Sequence, residues 1–158
     1  MHTTVIRQAN KQDVSRIAEI LVYNNRINFF PIFQDEEYSF GELQVLDVAE
    51  RYLQDRKSLE RVFVYDDGLV RGFAQVRGTE LEKLYVGSFF QGRGIGEALL
   101  SYAVRDKGAR FLWALEKNGG ALRFYGRHGF LPTGERMLEE GTAEYLLRLE
   151  WREEGTAE

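Results

Sequence analysis

The strongest constraint in this chain is Gln91-Gly92-Arg93-Gly94-Ile95-Gly96, which separates an apolar run over 81–86 from a helix-forming run over 97–104. The first run reads as a strand. The second carries Ala98, Leu99, Tyr102 and Ala103 at helical spacing, which predicts an amphipathic helix with these residues inward. A strand that feeds a glycine-rich turn opening a helix leaves several backbone N–H groups without partners. It aims them at one point, where the helix dipole also favours negative charge. Glycines at that turn let a ligand come close to the main chain. The arrangement predicts a phosphate cradle.

What the loop lacks narrows the ligand. A P-loop needs Gly-Lys followed by Ser or Thr, which is absent here. A dinucleotide fingerprint starting at Gly92 would want Gly or Ala at position 97, where Glu97 stands, and the unit comes too late in the chain to open a full Rossmann fold. The pattern Gln91, Gly94, Gly96 resembles instead the pyrophosphate-binding motif of the GNAT superfamily of acyl-CoA-dependent N-acyltransferases. A second stretch downstream carries Asn118, Ala121, Phe124, Tyr125, Gly129 and Phe130. It resembles the second GNAT signature, an Asn followed by a helix bearing Phe-Tyr and ending in Gly-Phe. The resemblance covers roughly residues 3 to 150 and is densest over 69–131.

The resemblance implies an α/β (α+β) single-domain acyl-CoA N-acyltransferase fold. Its sheet is mixed and mostly antiparallel, flanked by helices and splayed where the cofactor enters. Acetyl-CoA would be the acyl donor. Its pyrophosphate would sit on the amides of Gln91, Gly92, Arg93, Gly94, Ile95 and Gly96, with Arg93 adding a charge-assisted contact. Leu84, Tyr85 and Val86 would lend main-chain groups to the pantetheine arm. Asn118 would contact the same arm, in addition to its intrinsic role as a helix N-cap, and Ala121 and Phe124 would line the cofactor. Tyr125 is the expected general acid for the departing sulfur.

An amine must lose a proton before it attacks, which calls for a carboxylate or a water chain. Glu80 and Glu82 are two apart on one strand, so both are expected on one face, shared with Leu84 and Val86. Glu80 is the first candidate for the base and Glu82 the second. His128, at a helix end before Gly129, reads as structural. The acceptor is a small-molecule amine or a peptide amine, its pocket shaped by residues 24 to 42. Two readings from other classes stay open: a non-catalytic acyl-CoA sensor, and an adaptor working through its acidic tail.

Composition bounds the rest. The chain has 158 residues, 44% hydrophobic and 29% charged, enough for one domain with a real core. Residues 1–150 are expected to form it, with 151–158 as an acidic C-terminal tail. No apolar run approaches 18 residues and no leader pattern is present, so neither a membrane partner nor a secretory signal is expected. The absence of cysteine removes disulfides, thiolate metal sites and an acyl-cysteine intermediate, and points to a cytoplasmic protein. Two histidines, His2 and His128, are too few and too far apart for a His-rich metal site, so no metal is expected. Residues 139–158 hold seven Glu against Arg148 and Arg152, a net −5 of the chain's −4, which leaves a nearly neutral body. No basic stripe points to nucleic acid. A homodimer is left open. Glu-Glu-Gly-Thr-Ala-Glu occurs at 139–144 and again at 153–158, with too few copies for a repeat fold.

In chain order the sequence predicts a strand over 4–7 and a helix from Asp13 with Val14, Ile17, Ala18 and Leu21 inward. A second helix is expected from a Ser39–Glu42 capping box, with Leu43, Leu46, Ala49 and Leu53 inward. A hairpin follows over 61–65 and 69–77 around Asp67-Gly68, then the strand over 81–86, a helix over 94–107, a strand over 111–115 and a helix over 119–128. Closing strands are expected near 130 and over 144–150.

Overall fold

The computed structural model describes residues 5–153; Thr4, His2 and residues 154–158 of the second hexapeptide lie outside them. One seven-stranded sheet has the order β1-β2-β3-β4-β5-β7-β6, formed by β1 (Ile6–Gln8), β2 (Val62–Asp66), β3 (Val70–Arg77), β4 (Glu80–Val86), β5 (Phe111–Leu115), β6 (Phe130–Leu138) and β7 (Tyr145–Trp151). Every neighbouring pair is antiparallel except β4 and β5. Those two run parallel and share a single register pair, Glu80 with Phe111. Beyond it the strands part, and the sheet opens as a V towards their C-terminal ends.

The sheet's two faces bury separate cores. On one, α1 (Val14–Asn28) and α3 (Val45–Gln54) cover Val62, Val64 and Phe73, with Ile17, Ile20 and Val22 buried against them. On the other, α5 (Ile95–Lys107) covers Phe63, Ala74 and Leu81 through Leu99, Leu100, Ala103 and Val104. This helix packs close because β3 carries Gly72: a Cβ there would stand 3.2 Å from a Leu99 methyl and 2.8 Å from the Tyr85 carbonyl. The buried stripe of α5 is turned slightly from the expected one, so that Ala98 and Tyr102 sit at its margin. The shorter helices are α2 (Phe30–Phe33), α4 (Arg56–Glu60) and α6 (Gly119–Arg127).

The capping box expected at Ser39 is not formed. Residues Glu37–Glu42 wind as a π-helix, Ser39 is buried, and its carbonyl accepts from Arg26 Nε at 2.9 Å. The helix that follows begins only at Val45. Its inward residues are therefore Val48 and Tyr52, while Leu46 and Leu53 face out at 68% and 44% exposure. Of the expected set, Leu43 is buried just ahead of the helix and Ala49 packs against the same core, so the stripe is displaced only at Leu46 and Leu53. The Asp67-Gly68 turn is as expected, with the Gly68 N–H donating to Asp66 Oδ1 at 3.0 Å. Among the described residues no helix is long and apolar enough to cross a membrane.

Candidate active site

The opening between β4 and β5 forms a cleft of about 1480 Å³, walled by Leu81–Val86, Leu112–Leu115, the glycine loop, α6, the C-terminal part of α1 and the β6–β7 connection. Its backbone wall follows from ladder alternation. The Gly87 N–H donates to Arg71 O at 2.8 Å, and Tyr85 pairs with Phe73 two residues further in. Alternation then makes Phe73–Tyr85 a hydrogen-bonded pair and turns the main-chain groups of Leu84 and Val86 into the cleft. Tyr85 thus departs from its expected role: its main chain faces β3, and its side chain packs towards α1 with its ring 5.6 Å from Phe73. Val86 departs in part. Its carbonyl accepts from Asn24 Nδ2 at 3.1 Å and from Gln91 Nε2 at 3.4 Å. Asn24 is 3% exposed and its Nδ2 also donates to Ile20 O, so it ties α1 to the lip of the splay.

At the mouth of the V, Gly92 and Gly94 adopt φ of +80° and +81°, a region that disfavours side chains, with open space where a Cβ would stand. The amides of residues 91–94 donate to no backbone carbonyl among the described residues. Those of Ile95, Gly96 and Glu97 open α5 and lack helical acceptors. Phe124 closes the cradle from α6, its ring edge 3.5 Å from where a Gly96 Cβ would be. Arg93 is exposed, its guanidinium 5.7 Å from the Phe90 ring, beside Arg71 at 4.7 Å. Asn118 caps α6, accepting from the Ala121 N–H at 3.3 Å, while its side chain borders the cleft.

Tyr125 stands on the same wall, its ring 5.3 Å from Phe124 and 6.0 Å from Phe130. Burial pushes its phenol above the ordinary range, so the hydroxyl is protonated at neutral pH. The Tyr85 phenol is also pushed up, by burial first and then by Tyr125.

The two glutamates are arranged differently from the simple expectation. Val76 pairs with Leu81 and Gln75 with Lys83, so Glu82 is the extra residue of a β-bulge. The bulge resets the alternation. Leu81, Leu84 and Val86 face α5, whereas Glu82 points with Gln75 and Tyr85 to the α1–α3 side. Glu80 and Glu82 do share a face, but not with Leu84 and Val86. Glu82 lines the cleft and Glu80 does not. Glu82 accepts from Gln75 Nε2 at 3.0 Å and pairs with Arg77 Nε at 3.3 Å; Glu80 reaches only Arg77 Nη2, at 3.7 Å. Beside them, burial lowers the Lys83 ammonium, an effect opposed by Glu82 and Glu80. Two features escaped the sequence reading: Asn24 as a strut and Gln75 as a partner of the carboxylate. A buried Asn or Gln in an apolar run is the one signal that could have flagged them.

A mixed, mostly antiparallel sheet opened between β4 and β5, with a glycine loop at its mouth, is the acyl-CoA N-acyltransferase fold. Residues 58–132 match the family model described as Acetyltransferase (GNAT) domain. That match takes in 75 of the 158 residues, just under half of the chain. The chain is 41% identical over 57 residues to an uncharacterized N-acetyltransferase of Methanocaldococcus jannaschii, a stretch that takes in 33% of this chain and 25% of that protein. The chain thus spans about a quarter of the length of that relative. An N-acetyltransferase structure from Staphylococcus aureus Mu50 superposes with a TM-score of 0.73 at 17% identity, over 93% of this chain and 100% of that one. A putative acetyltransferase, YncA, from Salmonella typhimurium with its cofactor acetyl-CoA gives 0.64 at 22%, over 96% and 95%. The PaiA N-acetyltransferase of Thermoplasma acidophilum in complex with coenzyme A gives 0.63 at 18%, over 92% and 98%. At these identities the structures show a shared fold.

Proposed function

We propose that this protein transfers an acetyl group from acetyl-CoA to a primary amine by direct attack in a ternary complex. The observation that carries the reading is the splay itself, which places free main-chain groups, a glycine anion cradle, a protonated tyrosine and a carboxylate around one cleft. The residues present fit acetyl-CoA: positive-φ glycines leave room at the loop, and its unpartnered amides with the start of α5 offer donors to a pyrophosphate. The main-chain groups of Leu84 and the Val86 amide offer ladder-like partners to the pantetheine arm, as an added strand would use them. When bound, acetyl-CoA supplies an activated acetyl thioester.

Glu82 is the group best placed to take the proton from the incoming amine, ahead of Glu80, because it alone of the two lines the cleft. Tyr125 holds a proton on the opposite wall for the departing sulfur. Two roles on two walls suit direct transfer, and the chain has no cysteine to carry an acyl group between them. The acceptor would enter past Asn25, Asn28, Phe29, Phe33 and Tyr38, as a small-molecule or peptide amine. The test is coenzyme A release from acetyl-CoA across a panel of alkylamines, amino acids and short peptides. Turnover with at least one amine, slowed by about a hundredfold or more but still measurable in E82Q, is the expected result. Tight acetyl-CoA binding with no turnover on any amine would replace the enzyme by an acyl-CoA sensor.

A further inference from the structure

We infer that Tyr52 and Gln75 are positioning residues for Glu82: a buried hydrogen-bond chain starts on α3, crosses β3 and fixes where the bulge carboxylate points in the cleft. The inference rests on the reading of Glu82 as the group that takes the acceptor's proton. Tyr52 donates its hydroxyl to Gln75 Oε1 at 2.6 Å, and Gln75 Nε2 donates to Glu82 Oε1 at 3.0 Å. Tyr52 and Gln75 are 7% and 5% exposed, so water does not compete along the chain.

The chemistry of the three groups dictates the direction of the chain. An ionised carboxylate only accepts, so it must meet the Nε2 end of the Gln75 amide. The Oε1 end is then turned into the apolar α1–α3 core, where an acceptor left without a donor is costly. The Tyr52 hydroxyl supplies that donor. It keeps its proton because burial first, and the nearby Glu82 charge second, push the phenol up to about 12. Tyr52 therefore sets the orientation of the amide, and the amide sets the carboxylate.

Position 82 needs such help. As the extra residue of a bulge it has no cross-strand partner, so strand pairing does not hold its side chain. Arg77 Nε holds the second oxygen, Oε2, at 3.3 Å, but its own side chain is 58% exposed, so water competes for that contact as it does not for the buried amide.

The test uses the full chain labelled with ¹³C in glutamate carboxyls, the Glu82 signal being identified by its loss in E82Q. Removing a donor to the charged form raises a carboxyl's titration midpoint. The expected result is an upward shift in both Y52F and Q75L, larger in Q75L; an unmoved midpoint in both overturns the inference. Y52F is conservative and decides the matter should Q75L not fold. In parallel, coenzyme A release with the amine panel is expected to fall roughly tenfold in kcat in Y52F, below the 10²-fold cost of a grossly misplaced group. That loss should vanish in the Y52F/E82Q double variant, since both act through one carboxylate. A full additional loss in the double variant also overturns the positioning role. If E82Q turns over at the wild-type rate while the carboxyl signal still moves in Y52F, the base reading fails and the hydrogen-bond chain stands.

Discussion

The two walls of the cleft are made of different materials. The wall formed by the glycine loop, the start of α5 and the start of α6 presents backbone: amides opened by positive-φ glycines and a helix end held by the Asn118 cap. The wall formed by α1, α2 and the outer face of β4 presents side chains, among them Asn24, Phe29, Tyr38, Glu82 and Tyr85. On the proposed function, the backbone wall would recognise what every acyl-CoA shares. A side-chain wall can change its specificity by substitution without disturbing the sheet, so the proposed function puts acceptor choice there.

The sharpest way to break this comparison is to remove one atom from the aromatic part of the wall opposite Glu82. Tyr125→Phe keeps the ring between Phe124 and Phe130, so packing and acetyl-CoA affinity should be nearly unchanged. Loss of a general acid typically costs about 10²–10⁴-fold in rate. The expected signature is a fall in kcat with the acetyl-CoA dissociation constant preserved, marking an interaction made mainly in the transition state. Activity within about twofold of wild type would return Tyr125 to a packing role.

A charge set into the backbone wall should act on binding instead. Gly94→Asp places a Cβ on a φ of +81° and a negative charge where the proposed function puts the pyrophosphate. Acetyl-CoA affinity should fall by about a hundredfold, or about 2.7 kcal/mol, with the thermal unfolding curve showing the fold intact. An unchanged dissociation constant by calorimetry would displace the cradle from residues 91–96.

How much of this was readable from the sequence divides along the same line. The backbone wall was legible because its chemistry is local: glycines at fixed offsets, a strand before and a helix after, and an Asn that caps the next helix. Element boundaries from residue 62 onward came within a residue or two for the same reason, apart from the extent of β6. The side-chain wall was not legible, because its arrangement depends on a register slip between β3 and β4 that no spacing in β4 alone reveals. That slip turned Glu82 off the face of Leu84 and Val86 and onto the α1–α3 side. The displacement of the α3 stripe at Leu46 and Leu53 has a similar origin, a π-helical turn held by Arg26 from another helix.

The frame behind the side-chain wall is held by ions at its start. Arg7 forks onto Asp13 at 2.8 and 2.9 Å and onto Asp66 at 2.9 Å, linking β1, the start of α1 and the end of β2. Burial alone would raise the Asp13 carboxyl, but the Arg7 guanidinium and the Asn10 amide outweigh it and hold it below the usual range. A depressed folded-state value means the contribution to stability is full above the unfolded value of about 3.9 and is lost as pH falls below it and through the lower folded value. Asp13→Asn should therefore cost about 1.5 kcal/mol near neutral pH and less at a pH below about 3.9, read by denaturant unfolding at both. An equal cost at both pH values would assign the loss to packing rather than charge.

The smallest effect tests whether Asn118 serves one wall or both. Its Oδ1 accepts from the Ala121 N–H at 3.3 Å, while the side chain borders the cleft. Asn118→Ala removes the cap and should cost about 1 kcal/mol, or about 2–4 °C in Tm for a domain of this size. Asn118→Asp keeps an acceptor at the helix start, where negative charge is also favoured, so it should restore the lost stability. It does not restore a donor to the cleft. If Asn118 holds the pantetheine arm through Nδ2, Asn118→Asp will match wild type in Tm yet bind acetyl-CoA several-fold more weakly, a loss of about 1 kcal/mol for one neutral hydrogen bond. Wild-type affinity in Asn118→Asp would confine the residue to its cap, leaving the pantetheine arm to be held by the main chain of β4 alone.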